Sequence, residues 1–507
     1  MNPAAGLLAP AGSDRVRSLR RLVRLPALRQ PAVAAVCAAV IVIATVAAQV
    51  ASALPGSLWL LLAGFVAAGF AVARTEPPRT RIVSLNVFAL ALAMRVLWLI
   101  AATVGAGHGA SPFLGPDSSA YWEGAIDLVS QHFHLGVLPP AYYGTYDVGQ
   151  YYLFASVVAL FGAHVVALQM LNAGLSALTA PLAFGIARLT VPRGARAIGV
   201  FVALSPSLTA LSAMDLLKDP SVIFATLVAL LATLRLLRER TGLRLIGPVS
   251  AALMAFLYLR MTRFYAFAYV EYATVGAIGL ALLLCGRAGA RRRAAVAALL
   301  CVFGAAEIIP VPVGWPPTPL LFASQVGYVL DTPSMRLYPA GLMHRFRYRQ
   351  QPEMDRTPQD LATVATNLVR RVLGPFPWVA PPRWSLRTLQ AGDYFLYPGM
   401  LLWYAILPFV VVGFTIAGRA TFRRSPRMPM SVAVLWLFTA GYSLQYLLIN
   451  VSYRQREAIV PLLLVFAWWG IVYAWERPRL TRWYGAYWAA LVVLAVAHVG
   501  VRALLRP

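Results

Sequence analysis

Long apolar runs broken by short polar punctuation fill this chain from end to end. Runs near 31–53, 56–73, 82–104, 164–190, 195–212, 219–238, 246–262, 264–285, 294–313, 396–417, 430–450, 457–475 and 482–503 each approach the roughly 20 residues that a helix needs to cross a bilayer. The run Gly149–Phe161 is too short to cross, and its Tyr151-Tyr152 start suits a helix lying at the interface. A second interfacial helix is expected over 359–373, where Leu361, Val364, Ala365, Leu368 and Val372 recur at helical spacing with Arg370 and Arg371 at the margin. The pattern predicts an all-α polytopic membrane protein of about 13 transmembrane helices, with two outer-face loops that contain interfacial helices.

Composition agrees: 60% of the 507 residues are hydrophobic, 12% are charged, and mean hydropathy is +0.69. A soluble chain of this length needs far more polar surface. The net charge of +26 is almost all arginine, because Lys218 is the only lysine. These arginines cluster between apolar runs, at 13–30, 74–81, 188–196, 235–244, 287–293, 419–427 and 476–479. That placement excludes nucleic acid as the partner and reads as a set of cytoplasmic loops beside anionic membrane lipids. The expected orientation has the N-terminus in the cytoplasm, the first span retained, and the protein in the plasma membrane. Cys37, Cys285 and Cys301 lie apart in apolar runs and supply neither a disulfide framework nor a metal site.

Sidedness then divides the chain. Residues 1–30 form a basic N-terminal segment and 31–81 hold the first two spans. Residues 82–313 form a core with an outer loop at 105–163, 314–395 a long second outer loop, and 396–507 the C-terminal spans. The loop 105–163 contains Asp117, Glu123, Asp127 and Asp147 and no Lys or Arg. Carboxylates beside a bilayer are costly to place, which makes them candidates for function. Asp117 could cap a helix, with Tyr121 one turn on.

Three further constellations fall on the same outer face. Lys218-Asp219-Pro220 opens a span; Asp219 and Pro220 suit an N-cap and a first helical position, but capping leaves the sole lysine unexplained. Tyr453-Arg454-Gln455-Arg456-Glu457 puts arginines where the sorting rule disfavours them, and a guanidinium fork matches phosphate oxygens. His344–Arg349 alternates arginine with aromatics, a pattern suited to lipid headgroups. Arg95 lies within the third span and is expected to pair with an acid in the bundle, whereas Tyr151, Tyr152, Trp468 and Trp469 are expected at the interface.

In this order, the features resemble the polyprenyl-phosphate-dependent glycosyltransferases of the GT-C fold, in particular the aminoarabinose transferase and protein O-mannosyltransferase group. Pro116-Asp117-x-x-x-Tyr121-x-Glu123 is similar to that group's first outer-loop motif, Asp219-Pro220 to a later acidic position, and Tyr453-Arg454-x-Arg456 with Pro461 to a pattern near its end. The likeness covers roughly residues 82–475, and residues 31–73 are an addition. Where the aminoarabinose enzymes carry Glu-Lys, this chain has Tyr146-Asp147-Val148.

The resemblance implies an inverting transferase that takes a sugar from a polyprenyl-phosphate donor to a lipid, glycan or protein acceptor on the extracytoplasmic face. Asp117 and Asp219 are its implied catalytic residues. Tyr121, Glu123, Asp147, Lys218, Arg454 and Arg456 are implied to bind substrate, with the cations on the donor phosphate. No cofactor is called for by a spelled-out ligand set, although carboxylates could hold a divalent ion. Two alternatives stay open: a transporter or flippase of a lipid-linked or anionic solute, and a polymerase of lipid-linked glycans.

Overall fold

The computed structural model describes residues 25–50, 55–105, 116–133, 148–213, 216–238, 243–262, 264–284, 397–423, 429–447 and 456–504, with short pieces at 297–299, 301, 304–305 and 372–373. Among the described residues, fifteen α-helices have both ends defined: α1 (Ala32–Val50), α2 (Leu58–Arg74), α3 (Pro78–Gly105), α4 (Pro116–Ser130), α5 (Val148–Phe161), α6 (Val165–Thr190), α7 (Ala195–Ala203), α8 (Pro206–Ala213), α9 (Asp219–Leu236), α10 (Leu243–Thr262), α11 (Phe264–Leu284), α12 (Tyr397–Phe422), α13 (Met430–Leu447), α14 (Val460–Trp475) and α15 (Pro478–Leu504). Among the described residues, seven helices are long and apolar enough to cross a membrane, and four shorter helices are also apolar. The protein is a multi-pass, all-helical membrane protein.

Helix α6 is the axis of the bundle. Its residues from Ala167 to Ala187 are almost all buried, and α2, α3, α7, α8 and α9 pack around it. At the rim, α1 and α15 leave Ile43, Val50, Val493 and Val496 largely exposed, as helices facing lipid do. Helices α12 and α14 meet most intimately. A Cβ added at Gly413 would collide with the Phe466 carbonyl oxygen, and one at Gly470 with the Phe409 carbonyl oxygen. Glycine therefore lets these two backbones touch, as small residues do between helices in lipid.

Among the described residues, the two ends of the bundle differ in charge. At one end the buried Glu76 carboxylate is held by Arg188 and, at 2.7 Å, by Arg235, joining the α2–α3 turn to the ends of α6 and α9. Ser431 at the start of α13 donates to the Leu189 carbonyl there, at 3.0 Å. At the other end Ser57 donates to the Phe161 carbonyl at 3.0 Å, joining the start of α2 to the end of α5.

The expected span 195–212 is two helices. Pro206 has no N–H for the ladder and its ring obstructs the preceding turn, so the chain breaks at Leu204-Ser205. A break inside a bundle strands carbonyls that water cannot reach. Arg95 occupies it: Nη1 donates to the Ala203 carbonyl at 2.9 Å and to Ala91 at 3.0 Å, Nη2 reaches the Val202 carbonyl at 3.4 Å, and Nε donates to Ser176 Oγ at 2.8 Å. The expectation of an acidic partner is thus corrected. Helix-end carbonyls carry partial negative charge and serve a buried guanidinium in its place. Tyr151 and Trp469, expected at the interface, are instead 0% and 1% exposed inside the bundle.

Candidate functional site

Among the described residues, four helix ends meet at the end of the bundle opposite Glu76: the starts of α4, α5 and α9 and the close of α10. Helix α4 begins at Pro116, so Asp117 is a first-turn residue and not the cap expected of it. An acid there is favoured by the helix dipole. The next residue makes the long-range contact. Ser118 is fully buried, and its Oγ accepts the Leu216 N–H at 3.0 Å. This bond sets the α4 start, which bears Asp117, beside the segment that leads into Lys218 and Asp219.

Helix α9 opens one residue earlier than the sequence suggested. Lys218 is the N-cap residue, Asp219 stands in the first turn and Pro220 follows it. Asp219 is buried and Lys218 is half-buried, and both are engaged by neighbouring groups. The segment before them is fixed from below, where Asn172 of α6 donates to the Leu217 carbonyl at 2.9 Å.

Helix α5 closes the third side. The Oε1 of fully buried Gln150 accepts from Ser221 Oγ of α9 at 2.7 Å and from the Tyr258 hydroxyl of α10 at 3.0 Å. Tyr121 of α4 packs on α5, with ring centroids 5.2 Å from Tyr151 and 6.1 Å from Phe154. Its ring is 4% exposed, so it serves as the wedge that locks α4 to α5. Glu123 is exposed on the other flank of α4.

The remaining candidates divide. Asp147, Arg454 and the stretch His344–Arg349 lie outside the described residues, as does most of the expected helix 359–373. Arg456 is 3% exposed and committed within the fold: Nη2 pairs with Glu457 at 3.0 Å, Nη1 donates to the Val372 carbonyl at 3.1 Å, and the guanidinium lies 4.9 Å from the Trp403 ring centroid. Glu457 in turn accepts from Ser207 Oγ at 2.8 Å, which ties the start of α14 to the helix break. Among the described residues no three His, Cys, Asp or Glu side chains gather as a metal site would require.

Besides Glu76, two buried charges escaped the sequence reading. Arg260 in the last turn of α10 and Glu271 in α11 are each 6% exposed and engaged. Glu271 is the only charged residue of α11, and that isolation within an apolar run was the available signal. Ser118, Gln150 and Asn172 gave no such signal, because single polar residues in helices are ordinary.

No family model and no curated protein matches the sequence. Among solved structures, the fold is similar to the oligosaccharyltransferase of Archaeoglobus fulgidus in its apo form, with a TM-score of 0.52 and 13% identity. The match covers 81% of this chain and 54% of that one, so this chain accounts for about half the length of that protein. The architecture is therefore GT-C-like.

Proposed function

We propose that this chain is a membrane glycosyltransferase that moves a sugar from a polyprenyl-phosphate donor to an acceptor hydroxyl, with inversion at the anomeric carbon. Its plane of action is the extracytoplasmic face of the plasma membrane, with the N-terminus and the arginine-rich loops in the cytoplasm. One observation carries the reading: the Ser118–Leu216 hydrogen bond joins the start of α4, with Asp117, to Lys218-Asp219 on a GT-C-like fold. A protein named as an oligosaccharyltransferase shares that fold, which adds support for glycosyl transfer.

In this mechanism the Asp117 carboxylate takes the proton of the acceptor hydroxyl as its oxygen attacks the anomeric carbon. The bond from that carbon to the phosphate oxygen breaks, and the polyprenyl phosphate leaves with the electron pair. Lys218 and Arg454 hold the growing phosphate charge, a role in which positioned cations lower the barrier most. Asp219 orients the acceptor or the sugar, and Glu123 and Asp147 bind sugar hydroxyls. Arg456 fixes the start of α14 through Glu457. The acceptor is a lipid, a glycan or a protein.

A transporter reading has one observation in its favour, the helix broken at Ser205-Pro206, since broken helices mark transport sites. Arg95 already occupies the break, which leaves the transferase reading ahead. The test is incubation of purified protein with radiolabelled polyprenyl-phosphate sugars and candidate acceptors. Label should pass to an acceptor, and Asp117→Asn should slow that passage by about 10²–10⁴-fold while the protein remains monodisperse. Transfer at the wild-type rate by Asp117→Asn overturns the assignment.

A further inference from the structure

At the opposite, basic end of the bundle, α12 and α13 diverge around a groove of about 420 Å³ lined by Phe414, Thr415, Gly418, Arg419, Phe422, Arg423 and Trp436. That volume lies within the usual range for small-molecule sites, about 300–1,000 Å³. The lining is periodic. Phe414, Gly418 and Phe422 form one ridge of α12 at spacings of four, and Thr415, Arg419 and Arg423 form the next.

The far wall is one indole held fast. Trp436 Nε1 donates to the Phe414 carbonyl at 2.8 Å. Its ring lies 5.0 Å from the Phe414 ring and 5.3 Å, edge-on, from Phe422. Glycine at 418 makes room for it, since a Cβ there would stand 2.7 Å from Trp436 Cζ2. The groove is thus preformed and apolar along its length, and it is positive at its end.

Arg419 and Arg423 are exposed, and neither guanidinium has an ion-pair or hydrogen-bond partner among the described residues. The sequence from Tyr394 to Arg456 contains no Asp or Glu, while Arg424 and Arg427 follow directly. Arginines at a helix end are common marks of topology. Here, however, two of them, one turn apart, sit over an apolar groove walled by a fixed indole. That combination matches an amphiphile with an anionic head.

We propose that this groove binds an anionic phospholipid, its phosphate on Arg419 and Arg423 and one acyl chain along the Phe414–Trp436–Phe422 wall. A guanidinium fork suits a phosphate diester, and aromatic rings beside it accept the chain. The site is independent of the transferase reading and stands at the other end of the bundle. Its consequence is retention of a lipid of fixed charge class when the protein is extracted from the membrane.

The test uses the full chain in mild detergent. Phosphatidylglycerol with brominated acyl chains is titrated against brominated phosphatidylcholine, and tryptophan fluorescence is read with native mass spectrometry in parallel. Phosphatidylglycerol should quench at a concentration about tenfold or more below phosphatidylcholine, given about 1 kcal/mol per arginine near anionic lipid. That quenching component should vanish in Trp436→Phe, and Arg419→Gln with Arg423→Gln should erase the preference. Equal response to the two lipids overturns the proposal, as does a preference that survives the double variant or a quench indifferent to Trp436→Phe. Inorganic phosphate that displaces the lipid at equal concentration also overturns it, because the site would then read phosphate alone. If the double variant fails to fold, salt decides with wild-type protein: the preference should collapse near about 1 M salt, and its persistence refutes the contact with arginine.

Discussion

Arg95→Met removes the guanidinium from the helix break while keeping most of the side-chain volume. The local arithmetic is specific. The Ala91 carbonyl still has its own helical partner, and the Val202 carbonyl keeps the Ser205 N–H at 3.3 Å. The Ala203 carbonyl loses the donor that stood 2.9 Å away, and Ser176 Oγ loses one at 2.8 Å. An orphaned buried carbonyl costs about 1–3 kcal/mol, and a charge-assisted bond is worth about 1.5–3 kcal/mol, partly offset because the charge itself no longer needs burial. The net expectation is a loss of about 2–4 kcal/mol, about 30- to 700-fold in the local opening equilibrium. Hydrogen exchange followed by mass spectrometry over 202–209 reads this directly, with faster loss of monodisperse protein on warming as a second measure. Arg95→Lys should fare no better than Met. An ammonium keeps the burial cost yet cannot span Ser176 and Ala203 as the planar fork does. Unchanged exchange at 202–209 in Arg95→Met, or full recovery by Lys, would refute the reasoning.

Ser118→Ala removes the acceptor of the buried Leu216 N–H; a loss of about 1–3 kcal/mol in the packing of α4 on the α9 entry is expected, with transfer activity falling further than in Ser119→Ala. Glu76→Gln should loosen the basic end of the bundle, read as faster exchange at the ends of α6 and α9, because Arg188 and Arg235 would then share a neutral partner. Gly413→Leu or Gly470→Leu should abolish recovery of folded protein, since each new side chain begins inside a facing backbone. Gly485→Leu, with nothing within 4 Å of its Cβ position, should express normally.

The apolar periods of the chain predicted nearly every described helix to within a few residues, because in lipid a helix must satisfy its own backbone and length follows bilayer thickness. Proline at 206 was legible too, yet it was read as part of one span, because hydropathy sums over a break without registering it. The likeness to a GT-C fold came from the order of Asp117, Asp219 and the Tyr453–Arg456 cluster rather than from any one of them. What the sequence hid was pairing. Arg456 and Arg454 look alike in the chain, and only the fold commits Arg456 to Glu457 and Val372. Ser118 was unremarkable until Leu216 lay beside it. Long-range hydrogen bonds between ordinary residues leave no local pattern, whereas Glu271 did leave one, as the lone charge of its helix.

The plug at the broken helix also sets an order of manufacture. Arg95 leaves the ribosome about a hundred residues before Ala203, to which it is bonded across 108 positions. In α3 alone its side chain opposes membrane entry by about 2.5–3.5 kcal/mol on insertion scales, against the pull of the surrounding leucines and alanines. Helices α7 and α8, at 9 and 8 residues, are each too short to span lipid, so neither half is a competent insert by itself. Each supplies what the other lacks: the guanidinium finds carbonyls and the severed helix finds a donor. Synthesis stalled between these segments should therefore leave α3 poorly seated and exposed to membrane quality control, and completion of α8 is the point at which the early helices become committed to the bilayer.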